Sequence, residues 1–438
     1  MEKLFKLQEK GTTVSREIIG GITTFLAMAY ILAVNPDMLG KIGNGMTFGA
    51  VFTATCIASA FSTIIMAFFA NLPVALAPGM GLNAFFTFTV CGQMGCSWQF
   101  ALTAVFVEGL IFIILSLFGV REKIIDAIPE TMKKSVAVGI GLFICLIGLT
   151  NAGIATSNFS NGGTIIEFVT LNLSNKTALV AVIGLILTIV LYLLNVPGAI
   201  LIGIILTTVI GIPFRVTTIP EGWSPVSIPE APLLFRFEWK SILSVKFFVV
   251  MFTFLFTDLF DTLGTLMGVT QQAGLVADGK IPNAKQALMA DSVGTVVGAC
   301  LGTSTVTSYV ESSSGVAAGG RTGLASLVTG VLFLISLFFT NLFALIPSCA
   351  TAPALIFVGF LMLKQINEIN FTDPTDGIPA FITIVVMPFA YSISKGIAFG
   401  MIVYVIAKCA GKKAKEIPVA TWVLAGIFIA ALIFEAVK

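Results

Sequence analysis

Apolar residues run along this chain in long blocks. They fall near 17–35, 48–70, 75–92, 98–119, 133–151, 178–195 and 197–213. After a polar, proline-rich interval at 214–243, they resume near 244–268, 286–302, 304–320, 322–345, 351–364, 377–393 and 396–410. A last block covers 418–436. Such blocks predict helices, because about 20 apolar residues in helical form cross the roughly 30 Å hydrocarbon layer of a bilayer. The alternation over about 10 residues that marks a membrane-spanning barrel strand is missing. The expected fold is an all-α polytopic membrane protein in the lipid bilayer.

Composition strengthens this reading. Of 438 residues, 57% are hydrophobic and 11% charged, where a soluble domain carries about 25% charged residues. The net charge of +2 comes without a basic patch, so no nucleic-acid partner is expected. Residues 1–17 are polar and mildly basic and lack signal-peptide architecture, so the first block is expected to remain as a helix. The chain has no histidine, which removes the usual metal ligand and proton shuttle. Its cysteines (Cys56, Cys91, Cys96, Cys145, Cys300, Cys349, Cys409) show neither CxxC nor zinc spacing and are expected to be packing residues. No metal or other cofactor is expected. There is no Ser–His pair and no phosphate-binding GKS/T loop, which disfavours an enzyme.

Lys and Arg set the orientation. Lys3, Lys6, Lys10 and Arg16 precede block 1; Arg121, Lys123, Lys133 and Lys134 lie between blocks 4 and 5; Lys280 and Lys285, then Arg321, follow further on; Lys408, Lys412, Lys413 and Lys415 end block 14. If each block crosses once, all lie on one side, which is then the cytoplasm. This places the N-terminus inside the cell membrane and the 214–243 loop outside. Seven blocks per half is an odd number, so related halves would form an inverted repeat, 1–213 and 244–412, with 413–438 as an extra segment. Ile128-Pro129 matches Ile346-Pro347, and Gly198 with Gly203 matches Gly396 with Gly400. The alternation does not decide whether 418–436 crosses.

The third and tenth blocks look discontinuous. Leu76–Phe86 contains Pro78, Gly79 and Gly81, and Gly302–Gly315 is rich in Ser and Thr. Both suit a short extended segment followed by a helix start. Free backbone groups at membrane depth persist only where they are buried in protein or line a cavity, and paired breaks in two halves point to a transporter binding site.

Five acids fall in or beside apolar blocks: Glu108, Asp258, Asp261, Asp291 and Glu311. Each costs about 2.5–3.5 kcal/mol on the insertion scale, so each needs a reason. Asp258 and Asp261, three apart on a helix, share a face. Two like charges at low dielectric favour a proton on one of them, so the pair is the first candidate for proton coupling, with Asp291 and Glu108 behind it. Asp291 could instead cap its helix, and Glu108 could satisfy unwound backbone. Glu311, beside the second break, could accept ring N–H donors or cap a helix. Asn83 offers a donor and an acceptor, suited to a purine edge or to the broken backbone.

These residues resemble the nucleobase–ascorbate/uracil–xanthine permease superfamily, nearest its azaguanine-like branch of hypoxanthine, guanine and adenine permeases. The resemblance rests on Ala77–Phe86, Asp258–Thr265, Asp291–Thr295, Gly302–Val316 and Glu17–Tyr30, and it covers nearly the whole chain. It implies a 7+7 inverted repeat of about 14 helices, with a core domain of spans 1–4 and 8–11 and a gate domain of spans 5–7 and 12–14. It implies that Asp261 and Glu311 contact the base. Asn83, Thr265 and Ser312 are further candidates for substrate binding, and a flat purine could stack on Phe85, Phe86 or another aromatic residue. The uracil and xanthine branches carry glutamate where this chain has Asp261. Purine uptake by proton symport through alternating access, an elevator-like motion and a homodimer are implied likewise. The alternatives are a uracil or xanthine permease, or an anion exchanger of the same architecture, which the acidic centre disfavours. A channel is a third possibility.

Overall fold

The structure, a computed structural model, describes residues 2–118, 129–156, 167–168, 175–220, 222–276 and 281–436. Arg121, Lys123, Ile128 and Lys280, used above for orientation and repeat, lie outside these residues.

The first half runs α1 (Val14–Met28), α2 (Ile31–Gly40), α3 (Phe48–Ile65), β1 (Leu76–Pro78), α4 (Met80–Ala84), α5 (Trp98–Leu117), α6 (Glu130–Asn151), α7 (Lys176–Leu193) and α8 (Ala199–Gly211). The second runs α9 (Val245–Gln272), α10 (Ala284–Leu301), β2 (Val306–Ser308), α11 (Ser312–Ala317), α12 (Gly323–Ser336), α13 (Ser348–Leu363), α14 (Pro374–Phe389) and α15 (Ile393–Ala410). Strand then short helix is the third station of each half. α16 (Val419–Ala436) follows and packs on α15. Among the described residues, nine helical stretches are long and apolar enough to cross a bilayer. Large apolar side chains such as Leu193, Phe389 and Ile406 stand exposed around the outside, as a lipid-facing surface requires.

The helix starts are written locally. Thr47, Ser97 and Ser244 each accept a hydrogen bond from the backbone amide three residues on, satisfying a donor that the helix itself leaves free. Span 1 is one helical stretch, Val14–Gly40, with a local turn at Ala29 and Tyr30 between α1 and α2, both residues in right-handed helical conformation. α4 continues through a π-helical stretch, Phe85–Gln93.

The breaks are solved by pairing them. β1 and β2 run antiparallel, with Leu76 opposite Ser308, Ala77 opposite Thr307 and Pro78 opposite Val306. The Tyr309 amide donates to Ala75 O (3.0 Å) and the Gly79 amide to Thr305 O (3.0 Å), extending the pair at each end. Pro78 lacks an N–H and so tolerates this place. Two threonines complete the accounting. Thr63 Oγ1 on α3 accepts from the Leu76 amide (2.9 Å) and donates to Leu76 O (3.1 Å). Thr295 Oγ1 on α10 donates to Val306 O (2.9 Å). The two occupy corresponding spans of the two halves. At membrane depth an unmade backbone bond costs several kcal/mol, so these hydroxyls help make the two breaks possible.

The helices pack in two groups. α1, α3, α5, α9, α10 and α12 surround the strands, while α6, α7, α8, α13, α14 and α15 pack chiefly on one another. In the second group α6 and α13 touch backbone to backbone: a Cβ on Gly359 would lie 2.5 Å from Gly141 O. Small residues permit such contact where no hydrophobic effect drives helices together.

Candidate functional site

A small cavity lies where the two groups meet, with about 400 Å³ of non-atom space when the open solvent at its mouth is included. On the strand side it is lined by Gly79, Met80 and Gly81 after β1, by Ser308, Tyr309, Val310 and Glu311 after β2, by Asp261 and Thr265 of α9, and by Tyr30 from the turn in span 1. On the other side Val358 and Met362 of α13 face it. One wall thus carries carboxylates and hydroxyls and the other only apolar groups. No Lys or Arg lines it among the described residues.

Asp261 and Glu311 come together here, both half-buried, along with Thr265. Glu311 precedes α11 without capping it through its side chain. Its Oε1 accepts the Tyr30 hydroxyl at 2.5 Å. Gly79 is constrained by this packing, because a Cβ there would lie 2.6 Å from Thr307 Cγ2 and 3.7 Å from Asp261 Oδ2.

Other candidates stand behind the cavity. Asn83 is buried; its Nδ2 donates to Pro78 O (3.3 Å) and its Oδ1 accepts from the Ser304 hydroxyl, so it ties the two breaks together and does not line the cavity. Ser312 Oγ accepts from the Ala75 amide (3.0 Å), a further bond across the breaks. Phe85 does not line the cavity either. Its ring is fully buried edge-on against Phe254, 4.9 Å between centroids, so the expected stacking on a ligand has no geometric support, nor does it for Phe86 beside it.

The acids also divide differently from the expected Asp258–Asp261 pair. Asp261 faces the cavity, whereas Asp258 turns toward Asp291 of α10. Thr262 Oγ1 lies 3.1 Å from Asp258 Oδ1, 2.8 Å from Asp291 Oδ1 and 2.7 Å from Thr307 Oγ1. Asp291 sits inside α10, whose N-cap is Asn283, so it is not the cap. Glu108 Oε2 on α5 accepts from the Thr305 hydroxyl (2.9 Å), next to β2. All three acids are buried.

Sequence reading missed Tyr30, Tyr309 and Thr262. Tyr309 donates its hydroxyl to Pro78 O at 2.5 Å. The usable signal was rarity: the chain has five tyrosines, and one of them, Tyr309, sits in an interrupted span. Nothing in the sequence singled out Val358 and Met362.

Comparison with known proteins gives the family and the fold. A sequence model described as a permease family, the xanthine/uracil permeases, matches residues 15–399. The guanine/hypoxanthine permease PbuG of Bacillus subtilis is 47% identical over 99% of this chain and 100% of its own length. The adenine permease AdeP of Escherichia coli is 41% identical over 99% of this chain and 96% of its own. Among solved structures, the transmembrane domain of the cyanobacterial bicarbonate transporter BicA superposes with a TM-score of 0.65 at 15% identity, over 87% of this chain and 96% of that one. The overall structure of SLC26A9 gives 0.62 at 15% identity, over 91% and 66%. These two share the fold, a 7+7 inverted repeat. The protein is an integral membrane protein with that fold, and it belongs to the nucleobase–ascorbate/uracil–xanthine permease family.

Proposed function

We propose that this chain is a secondary transporter that takes up purine nucleobases (hypoxanthine, guanine and adenine) by proton symport across the cell membrane. The observation that carries this is the cavity wall: Asp261 and Glu311 converge beside the paired breaks and face apolar Val358 and Met362. A purine is neutral, flat and rich in N–H donors at its edge, so it suits carboxylate acceptors on one side and an apolar wall on the other. Relatives named for guanine, hypoxanthine and adenine support the same substrate class. Transport of an anion, such as the bicarbonate named for the fold neighbour BicA, is disfavoured here, because two carboxylates without a cation repel an anion.

For transport, the strand-bearing group acts as the core that holds the base, and the α6–α8 and α13–α15 group acts as the gate. The apolar gate wall makes no hydrogen bond that must break when the core moves past it. The Asp258–Thr262–Asp291 cluster, one helix face away from Asp261, is the proton-coupling element, with the N-terminus in the cytoplasm and a homodimer as the working unit.

The test is uptake of radiolabelled hypoxanthine into proteoliposomes, with and without an inward proton gradient, competed by guanine, adenine, xanthine, uracil and sulfate. Gradient-dependent accumulation blocked by purines is expected. Competition by uracil and xanthine alone would move the specificity to those bases, and competition by sulfate would overturn the purine reading.

A further inference from the structure

Tyr30 is fully buried, lies at the local turn inside span 1, and touches the cavity. Its one hydroxyl proton points at Glu311 Oε1, 2.5 Å away. Glu311 makes no side-chain cap on its own helix, and the side chain that holds its carboxylate is Tyr30. A side chain with three rotatable bonds, half-open to a cavity, loses binding power unless something holds it.

We propose that Tyr30 is the positioning residue for Glu311. It spends its only proton on the carboxylate, holds Oε1 against span 1, and leaves Oε2 as the acceptor presented to an N–H of the bound base. The role is one of affinity: Tyr30 sets how tightly the base binds and leaves the movement of the loaded carrier unaltered. This inference rests on the nucleobase reading above and names a residue of that same site.

The test uses full-length protein in lipid nanodiscs and proteoliposomes, with radiolabelled hypoxanthine as the probe. Tyr30→Phe keeps the ring and deletes the donor. Its Kd and uptake KM are expected to rise about 10- to 100-fold, the scale of a lost hydrogen bond to a charged group, while Vmax at saturating base stays within about threefold of the unaltered protein. An unchanged Kd would overturn the proposal. So would a fall in Vmax with KM unchanged, which would give Tyr30 a role in movement. A variant that no longer elutes as the parent does on size exclusion would make Tyr30 part of the framework and overturn it as well. Failure of the parent protein to bind hypoxanthine is a separate result; it would overturn the purine reading and is read before the variant is compared.

Discussion

Thr262 sits among three oxygens at 2.7, 2.8 and 3.1 Å, from Thr307, Asp291 and Asp258. Three such contacts need three protons if each is a hydrogen bond. The two hydroxyls supply two, and a protonated carboxyl would supply the third. Under the proton-symport reading proposed above, this buried cluster is the proposed store of the coupling proton. Thr262→Val removes the bridge while keeping the shape. It is expected to lower gradient-driven hypoxanthine accumulation by about tenfold or more, equivalent to roughly 1.4 kcal/mol, while exchange of internal for external base persists. Equal loss of both would show that Thr262 is needed for binding or folding instead. Asp261→Asn and Glu311→Gln are expected to abolish binding itself, because both groups line the cavity; retention of normal affinity by either would remove it from the site. The sequence singled out all five acids, since each is costly in a membrane, but paired Asp258 with the wrong partner. Residues three apart on a helix lie about 60° apart. That is enough for Asp261 to face the cavity while Asp258 faces Thr262, four residues on, and α10.

At the scale of elements, the breaks in spans 3 and 10 were legible because Pro78, Gly79 and Gly81, and the Ser/Thr run at 302–315, oppose a continuous helix. Their pairing into one antiparallel ladder was not, since register depends on which helices bring them together. The local turn at Ala29-Tyr30 inside span 1 was not legible, since no glycine or proline marks those two positions. α4 also marks where the two helix groups touch. Gly81 lies so close to α6 that a Cβ there would fall 2.6 Å from Ile140 Cγ2. Overpacking of this kind costs about 1–3 kcal/mol. Gly81→Ala is therefore expected to slow hypoxanthine uptake by about tenfold, and Ile140→Ala, which removes the opposing methyl, is expected to restore it in the double variant. Uptake by Gly81→Ala at the parent rate would mean that the two groups do not bear on each other there.

At the scale of the whole molecule, the segment after α8 belongs with the strand-bearing group. Glu230 accepts from Thr47 before α3 (2.6 Å), and the Leu233 and Phe235 amides donate to Leu301 O and Cys300 O at the end of α10 (3.0 and 2.9 Å). Glu238 accepts from Ser97 before α5 (2.5 Å), and Trp223 donates to Asn341 O beyond α12 (3.1 Å). These bonds gather four helix ends of one group, so the segment moves with that group if the groups move apart. Against this, among the described residues few polar contacts join the groups at that end. The clearest is Asp37 of α2, which accepts from Ser348 (2.8 Å) and Thr351 (3.3 Å) in the first turn of α13, where a helix N-terminus favours a carboxylate. Alternating access requires this contact to part in every cycle, whereas a carrier with a fixed frame would never break it. Asp37→Cys with Ser348→Cys, in a background with the native cysteines replaced, tests the difference. Cross-linking is expected to stop hypoxanthine uptake almost completely, and reduction is expected to restore it. Undiminished uptake by the cross-linked protein would mean that the two groups stay joined at this end throughout transport.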